Sequence, residues 1–488
     1  MRLLELCKKL QIKCPAALQD EEIRGITSNS QKVSEGFIFF CLEGTKRDGH
    51  HYAHEALMKG AIAVVIENER YECERSIRVA STRATLARAM DVFCGEVSKK
   101  LRFIGITGTN GKTSTSMMLK HILDNADISC EVIGTLNCSS FSEKHETTST
   151  NFTTPDPEEL YPMLQRISDA GIGTVIMETS SHALKLRKLE PIRFEIGIFT
   201  NLTEDHLDFH GDMEDYFKSK CRLFDKCKLG IINIDDAFGM RITREASCEK
   251  KTCSVLKDAD FAVLGLDNLG EDGFEYEAEY GGERIMIKCR VPGEFSIMNS
   301  MQAAAAALTL GIDKNIIERS FESFFGVKGR LEKSELSRGR GFAVFIDYAH
   351  TPDALCKVLS TLKSFKKEGS RVVALFGCGG DREREKRALM GKIAVENADF
   401  AVITSDNPRS EDPTDIINDI LHGCEGAQNF AVIPNRKDAI EYVIATHKVG
   451  DIILLAGKGH ENYEIDARGA HYFDEREVLG KAIEKYCK

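Results

Sequence analysis

The stretch 101–114, LRFIGITGTNGKTS, decides how this chain folds. An apolar, β-branched run ends in a glycine-rich turn, and a helical pattern follows. Such a unit binds phosphate, because backbone N–H groups and the positive helix N-terminus face the phosphate oxygens. In loops of this kind the lysine, here Lys112, reaches the β- and γ-phosphates, and the hydroxyl of the next residue, here Thr113, helps to hold Mg²⁺. This chain departs from the general pattern at Ile106, where the pattern has glycine. We expect ATP or GTP as a substrate; the alternative is a structural glycine turn beside a surface lysine.

Composition and charge limit the class of protein. The chain has 488 residues, enough for about three domains. Its formal net charge of −11 argues against general nucleic-acid binding. Sixteen scattered cysteines with no C-x-x-C pair, and no recognisable secretory leader, predict reduced thiols in a cytoplasmic protein. The apolar run 302–310 is shorter than the roughly 20 residues that span a bilayer, so we expect no membrane association.

The periodicity divides the chain into three segments. Two strand patterns around a helical one predict a small N-terminal α/β domain over residues 1–97. Residues 98–332 alternate strand and helix around the phosphate loop and predict a central P-loop-type mononucleotide-binding domain. Residues 333–488 alternate again and predict a C-terminal Rossmann-like doubly wound domain. The predicted class is therefore α/β with three domains.

Two strands of the central segment end in polar residues. The run 173–177 precedes Glu178, and the run 196–200 precedes a cluster that contains His206. Open α/β sheets place ligands at the carboxyl ends of their strands. A carboxylate and an imidazole there can complete the Mg²⁺ coordination that the triphosphate and a threonine begin. Each residue alone could equally cap a helix or satisfy a core hydrogen bond.

Four strands of the C-terminal segment also end in polar clusters. These are DYAH at 347–350, GGDR at 379–382, DNPR at 406–409 and GKGHE at 457–461. A single such cluster is usually turn chemistry. Four on one edge of a parallel sheet predict a binding cleft that faces the central domain.

Motifs that run in order through nearly the whole chain resemble those of the Mur ligase family. They are GTNGKTS at 108–114, TTP at 153–155, METSSHAL at 177–184, TNLTEDHLDFHG at 200–211, GRLE at 329–332, DYAHTPDAL at 347–355 and GCGGDRE at 377–383. The resemblance implies three α/β domains that bind, in order, a UDP-sugar peptide, ATP and an incoming amino acid. DNPR at 406–409 is similar to the signature of the diaminopimelate-adding members.

That resemblance implies an ATP-dependent amide ligase of peptidoglycan precursor synthesis. ATP phosphorylates the D-glutamate γ-carboxylate of UDP-N-acetylmuramoyl-L-alanyl-D-glutamate, and the amino group of meso-2,6-diaminopimelate attacks the acyl phosphate. The implied partners are these small molecules, and we expect a monomer. An L-lysine-adding ligase, a folylpolyglutamate synthetase, a P-loop NTPase without ligase activity and a non-catalytic UDP-sugar-binding module are the alternatives.

The resemblance also assigns residues around ATP. Catalytic roles fall on Lys112, Glu178, His206 and Lys220, with Mg²⁺ held by Thr113, Glu178, His206 and a CO₂-derived carbamate on Lys220. ATP contacts fall on Gly108, Thr109, Asn110, Gly111, Lys112, Thr113, Ser114, Asn299, Arg330 and Asp347. Without the resemblance, the sequence predicts that Lys220 is a helix-surface lysine.

The remaining assignments concern the other two substrates. The UDP-sugar peptide is assigned to Ser30, Thr153, Thr154, Ser180 and Lys188, with Arg187 as the alternative to Lys188. Diaminopimelate is assigned to Arg382, Asp406, Asn407, Pro408, Arg409, Gly457 and Glu461. An arginine fork suits the distal carboxylate that lysine lacks, and Glu461 suits the ammonium. The alternative for Arg409 is a turn residue paired with Glu411 or Asp412.

Three positions depart from the family pattern. Asn29 and Gln31 flank Ser30 where the family commonly has D-S-R, so uridine contacts can differ in detail. Ser296 stands where an asparagine is usual, so one adenine contact can differ from that of the family. None of the three positions carries an essential catalytic group.

Overall fold

The structure of the protein is a computed structural model, which describes residues 1–44, 47–136 and 153–487. Within these ranges the strands form three main sheets of four, nine and six strands, and one short hairpin. Helices cover the sheets, and buried apolar residues lie on both faces of each main sheet. The predicted α/β class with three domains is confirmed, while the boundaries at 97/98 and 332/333 stay predictions.

The first sheet is parallel, in the order β1-β2-β3-β4. Its segment contains α1 Leu3–Leu10, β1 Gly25–Thr27, β2 Phe37–Phe40, α2 Ala53–Met58, β3 Ala63–Ile66, β4 Ser76–Arg78 and α3 Thr82–Phe93. Leu3, Leu6 and Leu10 are buried on one side of α1, as the helical spacing of apolar residues requires. Ser81 caps α3 by accepting a hydrogen bond from the N–H of Ala84.

The nine-stranded sheet has the order β13-β12-β11-β10-β9-β8-β5-β7-β6. Its first part contains β5 Arg102–Thr107, α4 Lys112–Asn125, β6 Cys130–Ile133, α5 Pro157–Asp169, β7 Thr174–Glu178, α6 Ser181–Lys185, β8 Phe194–Phe199, α7 Leu207–His210 and α8 Met213–Cys221. Its second part contains β9 Cys227–Asn233, α9 Ala237–Glu245, β10 Glu249–Ser254, β11 Phe261–Asn268, β12 Phe274–Tyr280, β13 Glu283–Cys289, α10 Phe295–Thr309 and α11 Lys314–Glu322. Strand β5 lies between β7 and β8 and runs parallel to both.

The parallel strands carry the nucleotide motifs, whereas β12 and β13 extend the sheet beyond β11 in antiparallel order. Gly281 and Gly282 form the turn between β12 and β13, and both have positive φ angles. Helix α10 contains five consecutive alanines that are completely buried, so it packs closely against α4. This packing places Asn299 beside the phosphate loop.

The third sheet has the order β14-β15-β19-β16-β17-β18 and is parallel except for β14. The elements up to α13 are β14 Glu332–Lys333, β15 Ala343–Asp347, α12 Pro352–Ser364, β16 Val372–Phe376 and α13 Glu385–Asn397. Then follow β17 Phe400–Ile403, α14 Pro413–Leu421, β18 Phe430–Val432, α15 Arg436–Ala445, β19 Ile452–Ala456, β20 Tyr463–Asp466, β21 Gly469–Tyr472 and α16 Glu475–Tyr486. The four predicted polar clusters follow β15, β16, β17 and β19, so they share one edge.

Candidate active site

The phosphate loop joins β5 to α4 through Gly108, Thr109, Asn110 and Gly111. The loop is fixed by the neighbouring strand end: the N–H of Asn110 donates to Oδ1 of Asn201 over 2.9 Å, and Thr200 Oγ1 donates to the Asn110 carbonyl over 2.6 Å. Nζ of Lys112 donates to the carbonyls of Gly108 and Thr109, each at 2.9 Å. Burial lowers the pKa of Lys112. The predicted loop residues therefore lie together at the carboxyl end of β5.

Two glycines of this loop have no room for a side chain. A Cβ at Gly108 would lie 1.8 Å from Oγ1 of Thr200. Gly111 has φ +87°, and a Cβ there would lie 2.4 Å from Oδ1 of Asn299. Glycine is required at both positions because the loop backbone lies directly against two polar side chains.

Thr113, Glu178 and Arg330 form one polar cluster beyond the loop. Thr113 Oγ1 donates to Oε2 of Glu178 over 3.1 Å, and Nη2 of Arg330 donates to Thr113 Oγ1 over 3.2 Å. Glu178 is 1% exposed and also accepts hydrogen bonds from the N–H and hydroxyl of Thr135. The cluster joins Arg330, in the junction after α11, to the start of the phosphate-loop helix α4 and to the end of β7.

The donor set suits Mg²⁺. A threonine hydroxyl and a buried carboxylate are hard oxygen ligands, and Mg²⁺ is usually held by one or two carboxylates together with substrate phosphates and waters. Among the residues that the structure describes, no group of three or more His, Cys, Asp and Glu side chains is gathered to hold a metal alone. Glu178 and Thr113 would therefore share the ion with a bound triphosphate.

His206 follows β8, and its Nε2 lies 3.3 Å from Oδ2 of Asp205. Its backbone is left-handed, with φ +57°, and the ring packs edge-on against those of His182 and Tyr216. Desolvation lowers the pKa of His206, so the ring is neutral, which is the form that coordinates metals.

The expectation from sequence alone that Lys220 lies on a helix surface is wrong. Lys220 is 2% exposed, and its Nζ lies 4.5 Å from the ring centroid of Tyr216. Tyr216 in turn hydrogen-bonds Thr109 in the phosphate loop over 3.2 Å. Burial lowers the pKa of Lys220 strongly, with Lys112 as a second cause. Helix α8 thus points this lysine inward, beside the loop.

The residues assigned to the UDP-sugar peptide fall into two places. Thr154 Oγ1 donates to the carbonyl of Glu178 over 2.7 Å and accepts from the N–H of Ser180 over 3.0 Å. Thr153 reaches the same cluster through Thr135, with 3.2 Å between their hydroxyls. Ser30 lies in the N-terminal segment, where its carbonyl accepts a hydrogen bond from Lys59.

Of the two candidate cations near this cluster, Lys188 is the buried one. Its side chain is 8% exposed, and Nζ lies 2.7 Å from Oδ1 of Asp156. Arg187 is 44% exposed and pairs with Glu190. Lys188 therefore faces the segment that contains Thr154, whereas Arg187 faces solvent.

Asn407 and Glu461 form the centre of the C-terminal cluster. Nδ2 of Asn407 donates to Oε2 of Glu461 over 2.9 Å. The hydroxyls of Tyr348 and Tyr463 donate to the other carboxylate oxygen at 3.4 and 3.2 Å. Lys458 donates to Oδ1 of Asn407 over 3.0 Å. Burial raises the pKa of Glu461.

Arg409 lies beside this centre, with φ +53°. Its Nη1 donates to the carbonyls of Gly380 and Asn407 at 2.9 and 3.3 Å. Within the described ranges, no carboxylate lies within ion-pair distance of Arg409, so the predicted alternative of pairing with Glu411 or Asp412 is not observed. Burial and nearby Arg382 lower the pKa of Arg409.

Glu411 instead anchors the loop that follows β16. It pairs with Arg387, which is completely buried and also donates to the Gly379 carbonyl. Arg382, whose side chain is exposed, comes directly after this loop in the sequence. The pair thereby fixes the loop against which Arg409 lies.

The remaining assigned residues lie on the same edge. Asp347 accepts hydrogen bonds from the N–H groups of Leu331 and Ala349. Gly457 has φ +113°, and a Cβ there would lie 2.4 Å from Oδ2 of Asp406. A Cβ at Gly380 would lie 1.9 Å from the carbonyl oxygen of Pro408, so these two backbone segments are in close contact.

Three protein-family models match the chain. "Mur ligase family, catalytic domain" matches residues 22–93, "Mur ligase middle domain" residues 106–307, and "Mur ligase, glutamate ligase domain" residues 329–459. Together they cover most of the sequence. The chain belongs to the Mur ligase family.

Several known proteins are similar to this Mur ligase over nearly its full length. It is 38% identical to a UDP-N-acetylmuramoyl-L-alanyl-D-glutamate–2,6-diaminopimelate ligase of Syntrophomonas wolfei, with 99% of each chain covered. It is also 38% identical to the protein of the same name from Clostridium tetani, with 99% of this chain and 100% of the relative covered. A solved structure of a ligase with that name has 31% identity and a TM-score of 0.69, covering 98% of both chains.

Mur ligases are ATP-dependent ligases, so the predicted class of enzyme is confirmed, with ATP as a substrate. The structure places three groups of residues in the site: the phosphate loop, the cluster of Thr113, Glu178 and Arg330 beside it, and the C-terminal edge, which presents Glu461 and Arg409. No helix among the described residues has the length and apolar character to cross a bilayer.

Sequence reasoning missed the residues that support this Mur ligase site. Tyr348 and Lys458 lie inside motifs that were recognised, but their contacts with the Asn407–Glu461 pair depend on how three strand ends converge. Arg387 had no signal of its own, because it follows a charged run, DREREK at 381–386, that is typical of a solvated helix start. Asp353 lies inside the recognised motif DYAHTPDAL, but the sequence did not predict that it accepts a hydrogen bond from Asn110 over 2.9 Å.

Proposed function

We propose that this Mur ligase adds meso-2,6-diaminopimelate to the D-glutamate γ-carboxylate of UDP-N-acetylmuramoyl-L-alanyl-D-glutamate, with conversion of ATP to ADP and phosphate. The observation that carries the proposal is that Arg409 and Glu461 both lie at the same edge of the third sheet, without forming an ion pair with each other. Arg409 has two carbonyl acceptors and no carboxylate partner within the described ranges, while Glu461 is an 8% exposed carboxylate. The names of the relatives support the same choice.

The distal end of diaminopimelate carries both an ammonium and a carboxylate. Arg409 supplies a planar fork for the carboxylate, and Glu461 supplies the negative charge for the ammonium. Asn407 and the two tyrosine hydroxyls hold the Glu461 carboxylate in place. The side-chain ammonium of lysine would pair with Glu461, but lysine has no distal carboxylate to pair with Arg409. Because a desolvated, unpaired charge is unfavourable, lysine should bind more weakly than diaminopimelate.

The ATP side of the reaction depends on positioning and charge neutralisation. Lys112 lies at the phosphate loop and turns from its carbonyl acceptors towards the β- and γ-phosphates. Arg330 contacts the Thr113 hydroxyl and adds a second cation at the same place. The substrate γ-carboxylate attacks the γ-phosphorus, and the incoming amine then displaces phosphate from the acyl phosphate.

We assign Mg²⁺ to Thr113, Glu178 and His206, and a carbamate to Lys220. When bound, Mg²⁺ neutralises charge on the triphosphate. A carbamate converts the Lys220 amine into an anion, and the burial of Lys220 with no carboxylate within ion-pair distance in the described ranges supports that conversion. Tyr216 packs against the lysine and fixes its position relative to Thr109.

We assign the sugar-peptide substrate to the cleft between the first two sheets. Thr153, Thr154, Ser180 and Lys188 line its central side, and Ser30 its N-terminal side. Ser28 hydrogen-bonds Glu158 through its hydroxyl over 3.1 Å, which joins the two segments beside that cleft. We propose that the protein acts on small molecules in the cytoplasm, where its scattered cysteines would stay reduced. A monomeric state stays a prediction.

The test compares parallel reactions that contain ATP, Mg²⁺ and the UDP-muramoyl dipeptide with meso-diaminopimelate, L-lysine or no amino acid. Phosphate release and the mass of the UDP product are both measured. The proposal requires release and a tripeptide product with diaminopimelate only. A product formed with lysine but not with diaminopimelate would support ligase activity and contradict the proposed specificity. Equal phosphate release in every reaction, without a UDP-tripeptide product, would indicate an NTPase.

A further inference from the structure

Cys227 and Cys248 lie together at the amino ends of two neighbouring strands. Cys227 is the first residue of β9, and Cys248 immediately precedes β10. Strands β9 and β10 are parallel, with Glu249 opposite Leu229. Both cysteines are free thiols and half-buried, and exposed residues flank them in the sequence. The pair is therefore close to solvent but outside the apolar core.

Two glycines make space for the two sulfur atoms. Gly197 on β8 is the register partner of Gly230 on β9, so both face the same side of the sheet. A Cβ at Gly197 would lie 3.1 Å from Sγ of Cys227, and a Cβ at Gly230 would lie 3.3 Å from Sγ of Cys248. The two sulfur atoms thus occupy one side of the sheet above adjacent glycines.

The two thiol groups interact. Their interaction raises the pKa of Cys227 and lowers the pKa of Cys248 to about 7, and nearby Lys250 lowers the latter further. Sγ of Cys227 also donates to the carbonyl of Phe224 over 3.9 Å. Thiolates react with peroxides, whereas thiols do not. Cys248 is accordingly the nucleophile of the pair, and Cys227 is positioned as the thiol that resolves an oxidised Cys248.

We infer that Cys227 and Cys248 form a reversible disulfide when the protein meets a peroxide. The Cys248 thiol first releases its proton. The thiolate attacks one peroxide oxygen, the O–O bond breaks, and the leaving hydroxide takes up a proton equivalent to the one released, which gives the first water. Cys227 then attacks the sulfenic sulfur of Cys248, the S–O bond breaks, and water leaves after taking the Cys227 proton. Two thiols lose two electrons in total, and one hydrogen peroxide is reduced to two waters.

This modification site is separate from the nucleotide site. Strands β5, β8 and β9 are parallel, so the phosphate loop lies at their carboxyl ends and the cysteine pair at the opposite ends. We therefore expect Cys227→Ser and Cys248→Ser to retain ligase turnover. The inference does not rest on the choice of amino acid substrate.

The experiment treats the folded, full-length protein with hydrogen peroxide in the presence and absence of dimedone, which traps sulfenic acids. Peptide mass spectrometry then locates each disulfide and each adduct. Cys221→Ser is the matched control, because Cys221 is also half-buried and lies close to β9, but burial raises its pKa to about 12. Circular dichroism checks that every variant is folded.

The expected result is a disulfide between the peptides of Cys227 and Cys248 in the unmodified sequence and in Cys221→Ser, reversed by dithiothreitol. Cys227→Ser accumulates a dimedone adduct on Cys248, and Cys248→Ser forms neither the disulfide nor an adduct at position 227. The inference is overturned if folded protein gives no such disulfide, if Cys248 joins Cys221 instead, or if Cys227→Ser yields no adduct on Cys248.

Discussion

Nη2 of Arg330 donates a hydrogen bond to Oγ1 of Thr113 over 3.2 Å, across 217 positions of sequence. The arginine also lies over the ring of Tyr348, at 4.6 Å from its centroid. One side chain thus contacts the phosphate-loop helix and the first strand end of the C-terminal sheet. Arg330 therefore links the start of the phosphate-loop helix to the C-terminal sheet.

Arg330→Ala should weaken the use of ATP. A hydrogen bond from a charged donor contributes about 1.5–3 kcal/mol, so kcat/KM for ATP should fall by roughly 10- to 100-fold. Steady-state kinetics with varied ATP measures the effect. Arg338→Ala is the control, because the Arg338 side chain is 83% exposed and pairs with Glu335, which is exposed as well. Equal kinetics for both variants would remove Arg330 from the ATP site.

Gly111→Ala should lower the affinity for ATP because the new methyl group displaces the amide of Asn299. Gly171→Ala is matched in backbone conformation, since Gly171 has φ +79° and no atom within 4 Å of a Cβ. Both variants should lose about 1 kcal/mol of stability from the left-handed backbone. Calorimetric titration with an ATP analogue should show weaker binding for Gly111→Ala alone. Unchanged affinity in Gly111→Ala would contradict the assignment of Asn299.

Lys220 should carry a carbamate derived from CO₂. Protein equilibrated with ¹³C-bicarbonate should show a carbamate carbon in NMR spectra, and Lys220→Met should lack that signal and lose ligase activity. Lys218→Met is the control, because Lys218 lies on the same helix and its side chain is 68% exposed. A carbamate signal that persists in Lys220→Met would place the modification elsewhere.

Glu411 should make the stability of the C-terminal sheet depend on pH. Arg387 lowers the pKa of Glu411 from 4.5 to about 2, so the folded state binds this proton less readily than the unfolded state. The ionised Glu411 carboxylate makes its full contribution to the free energy of unfolding above about pH 4.5, and this contribution is lost as the pH falls towards about 2.

Urea unfolding at about pH 6 and about pH 3 measures that dependence. At the higher pH, Glu411→Gln should lower the free energy of unfolding by about 3 kcal/mol, because Arg387 then retains Asp419 but not Glu411 as an anionic partner. Between the higher and the lower pH, the free energy of unfolding of this variant should fall less than that of the unmodified protein. Glu425→Gln, at an 82% exposed side chain, should match the unmodified protein. The same pH slope in all three proteins would show that Glu411 contributes nothing.

Local patterns predicted most of the fold and much of the site. The run 101–114 and the strand ends at Glu178 and Asn407 were recognised because their chemistry is continuous in sequence. The burial of Lys220 was not predictable from its helix, since it results from contact with Tyr216 and the loop. The Arg387–Glu411 pair joins residues 24 positions apart, and no local signal marks either as buried.

The central claim is that Arg409 selects diaminopimelate by binding its distal carboxylate. The most direct measurement is the ratio of kcat/KM for meso-diaminopimelate to kcat/KM for L-lysine, in the unmodified protein and in Arg409→Ala. Removing one partner of a buried charged pair costs about 2–5 kcal/mol, so the ratio should fall by roughly 30-fold or more, with little change in the value for lysine. An equal fall for both amino acids, with the ratio unchanged, would contradict the account.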